Sequence, residues 1–282
     1  MPPTSIDGTD ISGATIDGTE VTEITADGNV VFSARPEMVD AYIFDGEDGN
    51  GGLNQFDMTG NPGDLSSATK TTGVISLNRQ QGFSINPDGT RIYMDDSSEL
   101  AQWDLSTAYD LTTAGNKQNS GIGQSFRAVV FNTDGTKVFT SGFTDNISSY
   151  SLSTGFDVTT ANSSAVNTFS ISNDVTGLTW NDDGTRLIAS GYSPGRLIQY
   201  DLSTPFDIST MTQVAEDENL GRSLGVTTNY DGTKLYYQHN GSNMIEFELS
   251  TPFDITTKSQ TATRSIGDWD GTTISVPSQY YR

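Results

Sequence analysis

Leu197–Thr210 reads LIQYDLSTPFDIST, and the chain carries this stretch five times. The other copies are Leu53–Ala68 (LNQFDMTGNPGDLSSA), Leu100–Thr113 (LAQWDLSTAYDLTT), Ile147–Thr160 (ISSYSLSTGFDVTT) and Met244–Thr257 (MIEFELSTPFDITT). The residue after the first aromatic marks the register: Asp57, Asp104, Ser151, Asp201 and Glu248, with spacings of 47, 47, 50 and 47. A period in the forties, built of short strands and turns, marks sheets arrayed around an axis. The expected fold is all-β, a five-bladed β-propeller.

Each period reads as four strands, a to d. In one copy, strand a is Phe126–Asn132, strand b Lys137–Ser141, strand c Ile147–Leu152, and strand d lies near Val166–Ile171. Asp88-Gly89-Thr90, Asp134-Gly135-Thr136, Asp183-Gly184-Thr185 and Asp231-Gly232-Thr233 join a to b, and Asp-Gly between apolar runs signals a tight hairpin turn. The first period starts at strand b, with Ala41–Asp45 (b), Leu53–Met58 (c) and Thr72–Leu77 (d). Thr272–Pro277 aligns with strand a, so the C-terminal strand is expected to complete the first blade and close the ring.

Two columns of the repeat fit this geometry. Gly82, Ala128, Gly177, Gly225 and Thr272 are small residues at one position of strand a, suited to a crowded axis. Phe56, Trp103, Tyr150, Tyr200 and Phe247 fill one position of strand c and are expected to pack between blades. Tyr109, Phe156, Phe206 and Phe253 form a second, structural set.

The first residues follow a shorter rhythm. Asp7-Gly8, Asp17-Gly18 and Asp27-Gly28 recur ten residues apart, which predicts a hairpin meander over residues 5–33. Such a unit is too small to bury a core alone and needs a partner. The domain division is therefore 1–34 as a small N-terminal β-hairpin module, 35–39 as linker, and 40–282 as propeller.

The 282 residues include 36 acidic and 14 basic ones, a formal charge of −22, with an apolar fraction of 33%. Two readings fit: an ordinary acidic soluble protein, or one adapted to molar salt, where a Debye length of ~3 Å screens the surface. Either way nucleic acid is a poor partner. No apolar run approaches the ~18 residues of a membrane span. The N-terminus has neither a basic nor an apolar signal region, so no export signal is expected.

Catalytic residue types are sparse. There is no cysteine, and the one histidine, His239, falls in a b–c loop. The channel-mouth columns are Arg79/Ser125/Asp174/Arg222/Trp269 and Gln81/Arg127/Thr176/Leu224/Gly271, which hold few carboxylates and no histidine. Neither a catalytic residue nor a cofactor is expected. Asp45, Glu47 and Asp48 form a weak calcium candidate in a Gly-rich loop that lacks EF-hand spacing.

Topology separates two ends. The a–b and c–d turns repeat almost unchanged, whereas the b–c and d–a loops differ in every blade and are free to carry recognition. Phe143, Tyr192, His239 and Asp145 are the contact candidates there.

The blade unit, N-x-D-G-T-K/R followed by Y-D-L-S-T-P-F-D-I-S-T, resembles YVTN/lactonase-like repeat propellers over residues 40–277. Lactonase-type catalysis is not carried over, because the His/carboxylate constellation has no counterpart. The leader, IDGTDI…IDGTEVTEITADGNVVFSA, resembles N-terminal segments of structural proteins in tailed viruses of halophilic archaea. That resemblance implies a non-enzymatic virion surface protein, made in the host cytoplasm: a capsid turret or spike, or a tail-fibre component. Residues 1–34 would dock on capsid or tail proteins through Ile6, Ile16, Val21, Ile24, Val30 and Phe32. The chain would be a homo-oligomer in a symmetric assembly and serve host attachment through a surface glycan or surface-layer protein. The alternatives are a cell-envelope or cytoplasmic binding module and, further off, a lactonase-like enzyme.

Overall fold

The computed structural model describes residues 15–16, 19–20, 23–26, 29–33, 42–46, 53–57, 69–71, 82–96, 98–142, 146–171, 174–229, 231–239, 243–265 and 274–275; before residue 82 and at 274–275 the description is of the backbone. The chain divides into two compact units, Met1–Val39 with Tyr281–Arg282, and Asp40–Tyr280.

The smaller unit holds two hairpins, β1 (Thr15–Ile16) with β2 (Thr19–Glu20) and β3 (Glu23–Ala26) with β4 (Asn29–Ser33). Ile16 pairs with Thr19 and Ala26 with Asn29, and the Asp17-Gly18 and Asp27-Gly28 pairs lie outside the described residues. Among the described residues the four strands form two two-stranded sheets, where a single meander is expected. Ile16, Ile24, Val30 and Phe32 lie on these strands; Ile6 and Val21 lie outside the described residues.

The larger unit is an all-β β-propeller. Its first sheet contains β5 (Tyr42–Gly46), β6 (Leu53–Asp57) and β7 (Thr69–Thr71). Four complete antiparallel blades follow: β8 (Phe83–Ile85) to β11 (Ala114–Asn119) through β9 (Arg91–Asp95) and β10 (Leu100–Leu105); β12 (Phe126–Phe131) to β15 (Asn167–Ser170) through β13 (Lys137–Gly142) and β14 (Asn146–Ser151); β16 (Val175–Trp180) to β19 (Met211–Asp217) through β17 (Arg186–Gly191) and β18 (Arg196–Leu202); and β20 (Ser223–Thr228) to β23 (Lys258–Ser265) through β21 (Lys234–His239) and β22 (Asn243–Leu249). Four blades, not the expected five, are described together with their side-chain packing. β24 (Ile274–Ser275) pairs with β5, giving a further four-stranded sheet of order β24-β5-β6-β7, described in its backbone. β24 also adjoins β8 and β20.

In that sheet Phe56 pairs with Lys70 of β7, and the residues expected to form strand d of the first period, Thr72–Leu77, lie outside the described residues.

The turn end explains why the repeat is so regular. Gly89 N–H donates to Asn86 O (3.0 Å), Arg91 N–H to Asn86 Oδ1 (2.8 Å), and Thr90 N–H and Oγ1 both reach Asp88 Oδ1. The same bonds recur at Asn132, Asn181 and Asn229. Of the Asp-Gly pair only the glycine has positive φ, so this tight turn is one of type I ending on a left-handed glycine. The c–d turn then folds onto it. Phe206 N–H donates to Gly184 O (2.9 Å), and the Phe206 ring lies where a Cβ on Gly184 would sit, 2.3 Å away. Asp207 accepts from Ser209 N–H (3.0 Å) and caps a short 3-10 turn.

The strand-c aromatics Trp103, Tyr150, Tyr200 and Phe247 are all buried. Tyr150 packs with Tyr93 and Leu100 of the preceding blade, and Phe247 with Ile188 and Leu197. Strands a to c are buried on both faces, while strand d is half-buried to exposed. The low apolar fraction is accommodated by Ser and Thr inside: Ser141 Oγ donates to Val175 O (2.8 Å) across blades, and Thr179 and Thr228 hydroxyls meet at 3.3 Å. The small-residue column marks close approach, since a Cβ on Gly177 would stand 2.4 Å from Val226 N of the next blade.

Candidate functional site on the variable-loop end

Strand a bends at the same place in three blades. The register shifts between Phe126 and Ala128, Val175 and Gly177, and Ser223 and Gly225. The skipped residues are Arg127, Thr176 and Leu224. A bulge leaves its extra residue out of the ladder and re-aims its side chain. Thr176 is buried and bonds Ser190 and Ser223, and Leu224 is buried. Arg127 is the charged member, and its side chain is 14% exposed.

Arg127 meets a loop from the next blade and a residue from the blade after that. Its guanidinium carbon lies 5.0 Å from the centre of the Tyr192 ring, and that of Arg222 lies 4.5 Å from the same centre. Arg127 Nη1 stands 3.5 Å from Asp174 Oδ2, and Tyr192 N–H donates to Asp174 O (2.9 Å). The half-buried Tyr192 follows β17, Asp174 precedes β16, and Arg222 precedes β20. Three successive blades thus converge on one ring.

Two glycines bring these loops together. A Cβ on Gly195 would stand 1.3 Å from Gly221 O and 2.5 Å from Arg222 N, so the Tyr192 loop and the Arg222 loop touch backbone to backbone. Gly221 has φ +73, and Tyr237 Oη donates to its carbonyl (2.7 Å). A side chain at Gly195 would force the two loops apart.

The electrostatics are unfavourable for two cations so close. Laid end to end, the two ring distances put the guanidinium carbons no more than about 9.5 Å apart. At an effective dielectric near 20 that repulsion is at least about 1.7 kcal/mol. Stacking on the ring contributes about 0.5–2 kcal/mol for each cation and offsets it. Burial pulls the Arg127 guanidinium below its ordinary pKa; Asp174 and Tyr192 oppose that, and Arg222 adds to it.

A buried carboxylate lies at the same end. Asp95, at the end of β9, accepts from Ser98 N–H (3.1 Å) and from Phe126 N–H (3.2 Å) of the next blade. Burial pushes its pKa up to about 6 against those hydrogen bonds, with the Asp96 charge adding to the rise. Ser98 and Ser125 hydroxyls meet nearby at 2.9 Å.

The sequence candidates fall out as follows. Tyr192 sits at the centre of this cluster, as a half-buried platform and not as an exposed anchor. His239 ends β21, half-buried, paired in the ladder with Ser223 and Asn243. Phe143 and Asp145 lie outside the described residues. Asp45 of the calcium candidate is a strand residue paired with Asn54 and Ile274, while Glu47 and Asp48 lie outside. Among the described residues no group of three or more His, Asp or Glu side chains could hold a metal ion. Arg127 and Arg222 both stand in the channel-mouth columns, where the scarcity of carboxylates and histidines gave no sign of a cation pair.

No family model matches the chain, and neither does any curated protein. Solved structures do. A chain of a crystal structure named as a Nidogen/Laminin complex aligns at TM-score 0.51 and 12% identity, over 85% of this chain and 99% of that one. Candidate 6-phosphogluconolactonases align at TM-score 0.46 over 80% of this chain and 68% of theirs, at 13% identity for Bacteroides fragilis and 15% for Bacteroides uniformis. At 12% identity the likeness to the first of these is one of fold.

Proposed function

We propose that the chain is a non-enzymatic recognition protein whose propeller presents its variable-loop end to a partner. The observation that carries this is the asymmetry of the two ends. One end repeats a single hydrogen-bond scheme blade after blade. The other differs in every blade and there gathers Arg127, Asp174, Tyr192 and Arg222. Repeated turns serve architecture; loops on a rigid scaffold are where recognition concentrates. The only histidine, His239, is a ladder residue at a strand end, which supports binding over acid–base catalysis. In this reading the β24-β5-β6-β7 sheet is the fifth blade, closed by the C-terminal strand.

The setting proposed is the surface of a virus particle, as a capsid turret or spike or a tail-fibre component serving host attachment. The leader's resemblance supports it, and so does an acidic surface suited to molar salt. Residues 1–34 would then be the docking module for capsid or tail proteins, in several symmetric copies. Immunogold electron microscopy with an antibody to residues 40–282 tests this on purified particles and on host cells. Label at capsid vertices or on tails supports the reading. Label confined to cells overturns the particle setting and favours a cellular binding module.

A further inference from the structure

We propose that Arg127 and Arg222, stacked on Tyr192, form a binding site for an oxyanion: the carboxylate, sulfate or phosphate group of a ligand. This rests on the reading of the variable-loop end as the recognition end, and gives that end a ligand chemistry.

The geometry carries it in three steps. First, the two guanidiniums come from different blades, 95 residues apart in sequence, yet meet on one ring. Second, the two ring distances bound the separation of the guanidinium carbons at about 9.5 Å, which leaves room for a bridging anion. An oxyanion accepting from two guanidiniums at normal hydrogen-bond distances leaves their carbons about 8 Å apart, inside the limit set by the ring distances. Third, the site is held ready: a bulge aims Arg127, and the Gly195–Gly221 contact sets Arg222. An arriving anion meets donors already ordered, and the cost of fixing two long side chains falls on folding, not on binding. Asp174, 36% exposed at 3.5 Å from Arg127, is then a competitor that the ligand displaces from one face of that guanidinium. Burial chiefly, and Arg222 in smaller part, hold the Arg127 guanidinium below its ordinary pKa, and an added anion would act against both.

The test uses the full chain with 13C-labelled tyrosine rings, the Tyr192 resonance being assigned through Tyr192→Phe. Sodium sulfate, phosphate, acetate and glucuronate are titrated at constant ionic strength against chloride, with neutral glucose as the control. A saturable shift of the Tyr192 signal with the oxyanions and not with glucose is expected. Arg222→Gln should weaken it at least tenfold, and Arg186→Gln, at the turn end, should leave it unchanged. Asp174→Asn should tighten it several-fold, an effect that a purely structural cluster would not show. No saturable shift with any of the four anions, or equal shifts in wild type and Arg222→Gln, overturns the proposal. A preference for glucuronate over the inorganic anions points to an acidic saccharide as source; equal affinities point to a free anion. Anion binding without attachment of the propeller to host cells would sink the recognition reading and leave the site standing. Attachment without anion binding would do the reverse.

Discussion

Replacing Gly184 by Ala should cost far more than its backbone conformation alone predicts. Gly184 has φ +70, and an L-residue there is strained by about 1–2 kcal/mol. The larger penalty is steric. The new Cβ would lie 2.3 Å from the Phe206 ring, whereas non-bonded carbons rest at about 3.5–4.0 Å. The ring must therefore retreat by more than ~1 Å. It cannot do so freely, because its centre lies 5.2 Å from that of Trp180 and 6.5 Å from that of Phe139 in the preceding blade. Such overpacking costs about 1–3 kcal/mol, so Gly184→Ala should destabilise by about 2–5 kcal/mol in total. In a Phe206→Ala background only the backbone strain is left. The double-mutant cycle should thus return a coupling of about 1–3 kcal/mol. Urea unfolding at fixed salt, followed by tryptophan fluorescence, measures all four species. If Gly184→Ala costs the same in both backgrounds to within ~0.5 kcal/mol, the interlock between the two turns is not what holds this end together.

Three further perturbations test other joints. Gln102 is fully buried; its Oε1 accepts from Val158 N–H of the next blade (2.9 Å), so Gln102→Met strands that donor and should cost about 1–3 kcal/mol in urea unfolding. Asp95 has a folded-state pKa of about 6, raised from 3.8, so its protonated form favours the fold: this contribution is complete below pH 3.8 and is lost as pH rises through about 6. Asp95→Asn should flatten stability over that window, a change of up to about 3 kcal/mol, whereas the turn carboxylates Asp134, Asp207 and Asp254, held below their ordinary values chiefly by the Thr136, Ser209 and Thr256 hydroxyls, give a limb of opposite sign that is lost as pH falls through their lowered values. Deleting residues 272–282 removes β24 from the edge of β5, and light scattering on heating should show earlier aggregation than in the full chain.

What could be read from the residues is what the blades share. Asn86, Asp88, Thr90 and Tyr109 have counterparts in each of the next three blades, and every copy makes the same bonds, so spacing alone exposed the turn end and the strand order. The joints between blades were half legible. The strand-c aromatics announced themselves by recurring. Gln102 and Gln199, which reach Val158 and Ile255 of the adjoining blades, were less plain, because the column that they share with Gln55 holds Ser149 and Glu246 in the other two repeats. That column is polar just before the aromatic, and this was the available signal.

The candidate site was hidden for a different reason. A bulge is a statement about two strands, and Arg127 looks like an ordinary strand residue until Phe126 is seen opposite Gly142 and Ala128 opposite Ser141. The contact of Gly195 with Gly221 is likewise a fact about two loops whose sequences resemble nothing else in the chain. Recognition surfaces are built from such one-off meetings. A repeat can multiply a scaffold, but a site that takes one ligand needs positions at which the repeat is broken. The column Arg127, Thr176 and Leu224 shows this directly. One backbone device recurs in three blades, and the residue placed on it decides whether it closes the core, as Leu224 does, bonds across blades, as Thr176 does, or holds a cation at the mouth, as Arg127 does.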